Sequence, residues 1–266
     1  MRVISSSIIF ACALSVVSSA QVGTNPQSSF AARSEFGVAP VAPRLSPQLA
    51  LAACERALRT QSSELVGYTA TTVIDAELPE SSQKAEFELK RHYAAPSLLE
   101  FTPLRWTGDK FVKNNIIVRL LQSEADHIHR REQPQTAIDS DNYGFRYKGI
   151  LELNGIPVHV YDLKPHHKRV GLFKGKIYLD SATGHLLRAQ GTITKTPSFF
   201  IKKIRFTQDY AMVAGFTLPT HIHSEADTRL VGKAIVDVFH RDYQPQAASG
   251  DDYSQQVSAA LADGAN

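Results

Sequence analysis

The amino-acid sequence predicts a mainly antiparallel β domain with two helices in its N-terminal half, its strands forming one strongly curved sheet that stops short of closing into a barrel. Three observations predict it. Apolar and polar residues alternate through most of the chain from Val66 onward, turn residues punctuate these runs at short intervals, and a 3.6-residue period occurs in only two stretches, both before Arg130. Nine to eleven strands in local, meander order then bury one apolar face against the helices.

The chain opens with MRVISSSIIFACALSVVSSA, in which Arg2 precedes an apolar run over residues 3–17 and Ser18, Ser19 and Ala20 follow it. This is the layout of an export signal cleaved after Ala20, so residues 1–20 read as a signal peptide. A membrane span takes roughly 20 apolar residues, and this run is shorter and broken by serines. Ile9-Phe10-Ala11-Cys12 loosely resembles the box at which bacterial lipoproteins are acylated, which would tether the mature chain through Cys12. The apolar stretch continues past Cys12 and speaks against it.

Residues 21–45 are rich in Ser, Pro, Ala and Gly without periodicity and read as a flexible leader. The domain proper occupies 46–243. Its first helix has Ser46 as cap, Pro47 in the first turn and a stripe of Leu51, Cys54 and Leu58 to lay on the sheet. Val66, Tyr68, Ala70, Thr72, Ile74 and Ala76 share one face of the first strand, and Ala85, Phe87, Leu89 and Tyr93 one face of the second. A third strand covers 98–102. A second helix is expected over 114–128, with Asn114 or Asn115 as cap and Ile117, Leu121, Ala125 and Ile128 on its apolar face.

After Tyr143 all is β. Asn154-Gly155 is a strong hairpin signal between the runs ending at Leu153 and starting at Ile156. Ser181-Ala182-Thr183-Gly184 turns the chain again, and Leu187, Ala189, Gly191 and Ile193 return on one face. Strands through Ile204, Phe206 and Tyr210, through Phe216, Leu218 and Ile222, and over 234–243 complete the set. Residues 244–266, rich in Ala, Ser, Asp and Gly, read as a disordered tail.

Composition narrows the function. With 43% hydrophobic and 21% charged residues the chain is an ordinary globular one, and a net charge of +3 with scattered Lys and Arg gives no footprint for nucleic acid. Once the signal is removed only Cys54 remains, so no intramolecular disulfide can form and a packed core must hold the fold. The sequence contains no Gly-x-Ser-x-Gly elbow, no His-Glu-x-x-His, no phosphate loop and no dinucleotide fingerprint. Neither an enzyme nor a cofactor is expected.

Val160-Tyr161-Asp162-Leu163-Lys164-Pro165, Gly175-Lys176-Ile177-Tyr178-Leu179-Asp180-Ser181-Ala182-Thr183-Gly184, Ile204-Arg205-Phe206 and Phe216-Thr217-Leu218-Pro219 carry a resemblance to the LolA-like superfamily over residues 143–243. That superfamily includes lipoprotein carriers and related lipid-binding or stress-sensing domains of the bacterial envelope. The resemblance implies an unclosed barrel lidded by helices, a concave apolar face able to receive acyl chains, a periplasmic or secreted location and no enzymatic activity. A monomer that binds acyl chains of a lipid or lipoprotein is the leading expectation. The alternative is a module that engages other envelope proteins without any lipid, and a metal-dependent hydrolase ranks last.

Apolar residues expected to line the cavity or lid are Trp106, Phe111, Ile117, Leu121, Leu187, Ile193, Phe206, Phe216 and Leu218. For Trp106, with Phe101, Leu104 and Phe111 nearby, core packing is the default and a rim between strand and lid the alternative. His221 and His223 share a strand face with Glu225, a geometry suited to a metal only if a third ligand converges; the apolar residues opposite direct them outward, and no metal site is expected. His127-Ile128-His129-Arg130-Arg131 suits the end of a helix, where cations are favoured. Solvation is the default there and in His166-His167-Lys168-Arg169, with an anion or headgroup contact as the alternative. Cys54 reads as a core residue rather than a nucleophile.

Overall fold

The computed structural model describes residues 44–248; the expected signal at 1–20, nearly all of the expected leader and most of the expected tail lie outside the described residues. Helix α1 (Pro47–Glu64) begins as its residues dictate: Ser46 Oγ accepts the Leu49 N–H at 3.3 Å and Pro47 fills the first position. Its Cys54 is buried, with Leu51 and Leu58 packed beside it against the sheet. Gln61 is buried as well. Its Nε2 donates to Thr217 O and its Oε1 accepts from Thr217 N–H, so one side-chain amide pairs with the sheet as a strand backbone would.

Ten strands follow: β1 (Leu65–Leu78), β2 (Gln83–Ala94), β3 (Leu98–Gly108), β4 (Tyr143–Leu153), β5 (Ile156–Pro165), β6 (Phe173–Asp180), β7 (Leu186–Ile193), β8 (Ile201–Val213), β9 (Phe216–Thr228) and β10 (Lys233–Ala247). They form a single open antiparallel sheet in the order β3-β2-β1-β10-β9-β8-β7-β6-β5-β4. A curved half-barrel is therefore the observed fold. Local hairpins dominate, as expected, but β1 and β10 are central neighbours, paired from Leu65↔Ala247 to Glu77↔Ile235. The free edges are β3 and β4, consecutive in sequence. They cannot form a hairpin because the chain between them is spent on the helices that cross the inner face.

That crossing segment starts at Asp109, whose Oδ1 accepts the Val112 N–H at 3.0 Å, and not at Asn114 or Asn115. It runs as α2 (Lys110–Val112), widens into a π-helical turn (Lys113–Ile117) and continues as α3 (Val118–His129). Asn115 lies inside the wide turn, its Nδ2 donating to Phe111 O at 3.0 Å.

Two strands outrun their expected ends. β3 passes through Pro103 to Gly108, because an edge strand has an unpaired side and a register shift between Glu88 and Leu89 of β2 takes up the irregularity. β10 continues to Ala247, because β1 supplies backbone partners for Gln244, Pro245 and Gln246. Elsewhere turn chemistry sets the register. Asn154 and Gly155 adopt positive φ (52° and 81°), as a two-residue hairpin requires. In the β6–β7 turn Asp180 Oδ1 accepts the N–H groups of Ala182 and Thr183. Gly184 there has φ +79°, and a Cβ on it would stand 2.7 Å from Ala50 O, so α1 rests directly on that glycine.

Candidate functional site

The inner face divides under its two covers. Beneath α2, the π turn and α3 lies an apolar wall of Ile74, Leu78, Phe87, Leu89, Ile222 and Val236, against which Val112, Ile117 and Leu121 are buried. Beneath α1, Ile193 and Phe206 pack with Cys54, Tyr143, Phe173 and Ile177. Phe216 and Leu218 join Leu65 in a third cluster, bordered by Tyr68, Tyr93 and Tyr243. Thus Ile117 and Leu121 line the lid, while Ile193, Phe206, Phe216 and Leu218 belong to packing under or beside α1.

Leu187 is placed differently from its expected face. A bulge between Tyr178 and Leu179 pairs Leu179 with Leu186 and Tyr178 with Arg188, so Leu186 takes the buried position and Leu187 is only half-buried. Trp106 and Phe111 are not in the core either, at 43% and 45% exposure, and Leu104 is exposed too. They sit on the edge strand and the first turn of the lid, where no further layer covers them. The Lys113 ammonium lies 3.8 Å from the centre of the Trp106 ring.

Within the wall is a polar island that alternation alone did not single out. Arg91 occupies an inward position of β2, in phase with Phe87, Leu89 and Tyr93, and is 4% exposed. Its Nη1 and Nη2 donate to Glu124 Oε1 and Oε2 of α3 at 2.5 and 2.8 Å, a bidentate bridge between sheet and lid. Burial works against the guanidinium charge, but Glu124 outweighs it and the pKa stands well above the ordinary value. Arg91 Nε, also buried, has no hydrogen-bond partner among the described residues. The signal in the sequence was the phase: a charged residue at a position the period assigns to the core.

Beside this bridge is a cavity of about 40 Å³ lined by Tyr68, Arg91, Tyr93, Glu124, Gln208 and His240, among others. That is room for a few waters, not for an acyl chain. His240, in contact with Thr72 Oγ1 at 2.9 Å, has its pKa held well below 6.5 by burial and then by Arg91. The site therefore holds one permanent cation paired with the Glu124 side chain and a neutral imidazole, bordered by Tyr68, Tyr93 and Gln208 as well as by apolar groups.

The remaining candidates resolve into structural roles. His221 Nε2 and His223 Nδ1 both lie against Asp237 Oδ1, at 2.8 and 2.9 Å, on the outer face, and His221 stacks on Phe239. Among the described residues no group of three or more His, Cys, Asp or Glu is arranged to hold a metal ion. In the 127–131 motif His127 is buried rather than solvated, contacting Glu132 and Thr136; burial lowers its pKa, and Glu132 opposes that in part. His166, His167, Lys168 and Arg169 are exposed. Burial, followed by Glu55, raises the Cys54 thiol to about 12, so it stays a protonated core group at neutral pH.

The lid also borders an open groove of about 410 Å³, formed by Glu80, Ser81, Gln83, Phe111, Leu230, Val231 and Gly232. Leu230 is 73% exposed, and Phe199 in the β7–β8 connection 76%. Arg229 ties the two loops together, donating from Nε to Phe199 O at 2.9 Å.

No protein-family model and no curated protein matches the sequence. Among solved structures, a DUF1329 family protein from Desulfovibrio piger aligns at 11% identity and TM-score 0.41, over 77% of this chain and 95% of that one. A LolA superfamily protein from Nitrosomonas europaea aligns at 12% identity and TM-score 0.38, over 78% and 96%. A protein described as an outer membrane lipoprotein-sorting domain, from Vibrio parahaemolyticus, aligns at 14% identity and TM-score 0.39, over 79% and 95%.

Proposed function

We propose that this chain is an exported, non-enzymatic carrier that holds acyl chains of a lipid or lipoprotein against the wall of β1, β2, β9 and β10, with the segment from α2 to α3 as a lid. The observation that carries this reading is how the lid is held. Its apolar residues cover the wall, while the ion pair Arg91–Glu124 ties α3 to β2. A buried pair contributes little net stability, since the desolvation of both ions offsets most of their attraction. Such a tie positions the lid without fastening it as apolar contact of the same area would.

Exchange of cover for ligand is energetically reasonable. Burial of Val112, Ile117 and Leu121 is worth roughly 5–9 kcal/mol at 1.5–3 kcal/mol per side chain. An acyl chain on the same wall restores a comparable area, so the wall need never face water. The π turn, which leaves one backbone step out of the α pattern, is the natural place for the lid to flex.

Organic extraction of the protein purified from an envelope fraction, followed by mass spectrometry, tests the reading. Stoichiometric acyl lipid is the expected result. Protein that is free of lipid and takes up none when offered acyl ligands would overturn it.

A second reading has one observation in its favour. Leu230 and Phe111 present exposed apolar groups around the groove, and Arg229 ties the exposed Phe199 to the neighbouring loop, as a docking site for another envelope protein would require. Capture of a defined envelope protein by the lipid-free chain, lost on Leu230→Ser, would favour it over the carrier.

A further inference from the structure

Arg91 is an unusual residue to find in a largely apolar wall. Its Nη atoms are committed to Glu124, Nε is buried with no partner among the described residues, and the residue borders the small cavity. A buried donor left unpaired is costly, and in native structures such a group calls for an explanation. Glu124 belongs to the lid, so any displacement of α3 takes the carboxylate away and leaves a desolvated cation at one end of the wall. Removing the partner of a buried charge is far more costly than separating two groups into water. The open state therefore needs a second anion at the place Glu124 vacates.

We propose that Arg91 is the head-group site of the ligand, where the carboxylate of a single-chain fatty acid replaces that of Glu124 when the lid lifts. This rests on the carrier reading above. A carboxylate fits the exchange: the place Glu124 vacates is already shaped to a planar, two-oxygen group, beside a cavity of about 40 Å³. Geometry agrees, since the guanidinium already presents a two-pronged face that Glu124 satisfies with both oxygens. Tyr68, Tyr93, Gln208 and His240 supply polar edges around it. From Arg91 the inward positions of β2 run through Leu89 and Phe87 to Ala85, about 20 Å of apolar strand at roughly 3.3 Å per residue, a path for an extended chain.

Titration of the lipid-stripped protein with oleic acid and with methyl oleate, read by native mass spectrometry at neutral pH, tests the proposal. The acid should bind at least about tenfold more tightly than the ester, the size expected for one charge-assisted contact. Glu124→Gln should tighten binding of the acid while leaving the ester unchanged. In the double variant Arg91→Met, Glu124→Leu, which removes both charges and so avoids an unpaired ion, acid and ester should bind alike. Equal binding of acid and ester by the wild type overturns the head-group site and leaves the carrier reading intact. Preference for the acid that persists in the double variant overturns it too, by placing the head group elsewhere. Failure of both ligands to bind the wild type overturns the two together.

Discussion

Single side chains set the behaviour of the polar island. Removing one member of the Arg91–Glu124 pair strands a buried charge, so Glu124→Ala should lower the free energy of unfolding by about 3–5 kcal/mol in urea titrations. Replacing both by Met and Leu should leave it within about 1 kcal/mol of wild type or raise it. His240 makes stability depend on pH. Its pKa in the folded chain lies well below the value of about 6.5 it regains on unfolding, so the unfolded state binds more protons between the two. Stability is therefore complete above pH 6.5 and falls on acidification, with a slope approaching about 1.4 kcal/mol per pH unit. His127 adds in the same direction. Asp75 acts oppositely: burial, then Glu86 and Asp237, raise its pKa, so protonation relieves a strain, but only down in the carboxylate range. Thermal melts at pH 7.5 and 5.5 should show a lower midpoint at the acid pH and a smaller drop for His240→Gln, which can still bond Thr72.

The elements differ in how they are fastened. α1 is held by its apolar stripe, by the Gln61 amide on Thr217 and by close approach to Gly184. Gly184→Ala meets both a positive φ and the Ala50 carbonyl, and should cost more than about 1 kcal/mol of stability in urea unfolding. The lid is held by its apolar face, by the Arg91–Glu124 bridge and by Asp109, whose N–H donates to Lys84 O and whose carboxylate accepts from Gln83 Nε2. Leu121→Ala should cost about 2–5 kcal/mol if lid and sheet unfold together, as buried Leu truncations do. A smaller loss, with unchanged protection of the β1 amides, would mean that the lid opens as a unit of its own.

Across the whole molecule, much of the architecture was legible in the sequence. Alternation located the strands, Asn154-Gly155 and the 181–184 turn set hairpins, and Ser46-Pro47 marked a helix start, because each is a local preference that the fold leaves in place. Pairing of β1 with β10 was not legible, since contact between the two ends of the domain leaves no trace in local periodicity. Bulges were missed for a related reason: one extra residue at Leu187 shifts the phase, and only the partner strand reveals it. Among the expected lining residues, Ile117 and Leu121 are buried between helix and sheet, whereas hydrophobicity alone could not distinguish the exposed Trp106 and Phe111 from core. Arg91 was visible as a charge in an apolar phase but gained meaning only through Glu124, thirty-three positions away. The most direct test of a wall covered by a movable helix is amide hydrogen exchange with and without oleate. A lid that lifts for its ligand predicts faster exchange across Lys110–His129 on loading, with β1, β2 and β10 as protected as before or more so. Equal protection of lid and sheet, unchanged while oleate is bound, would contradict it.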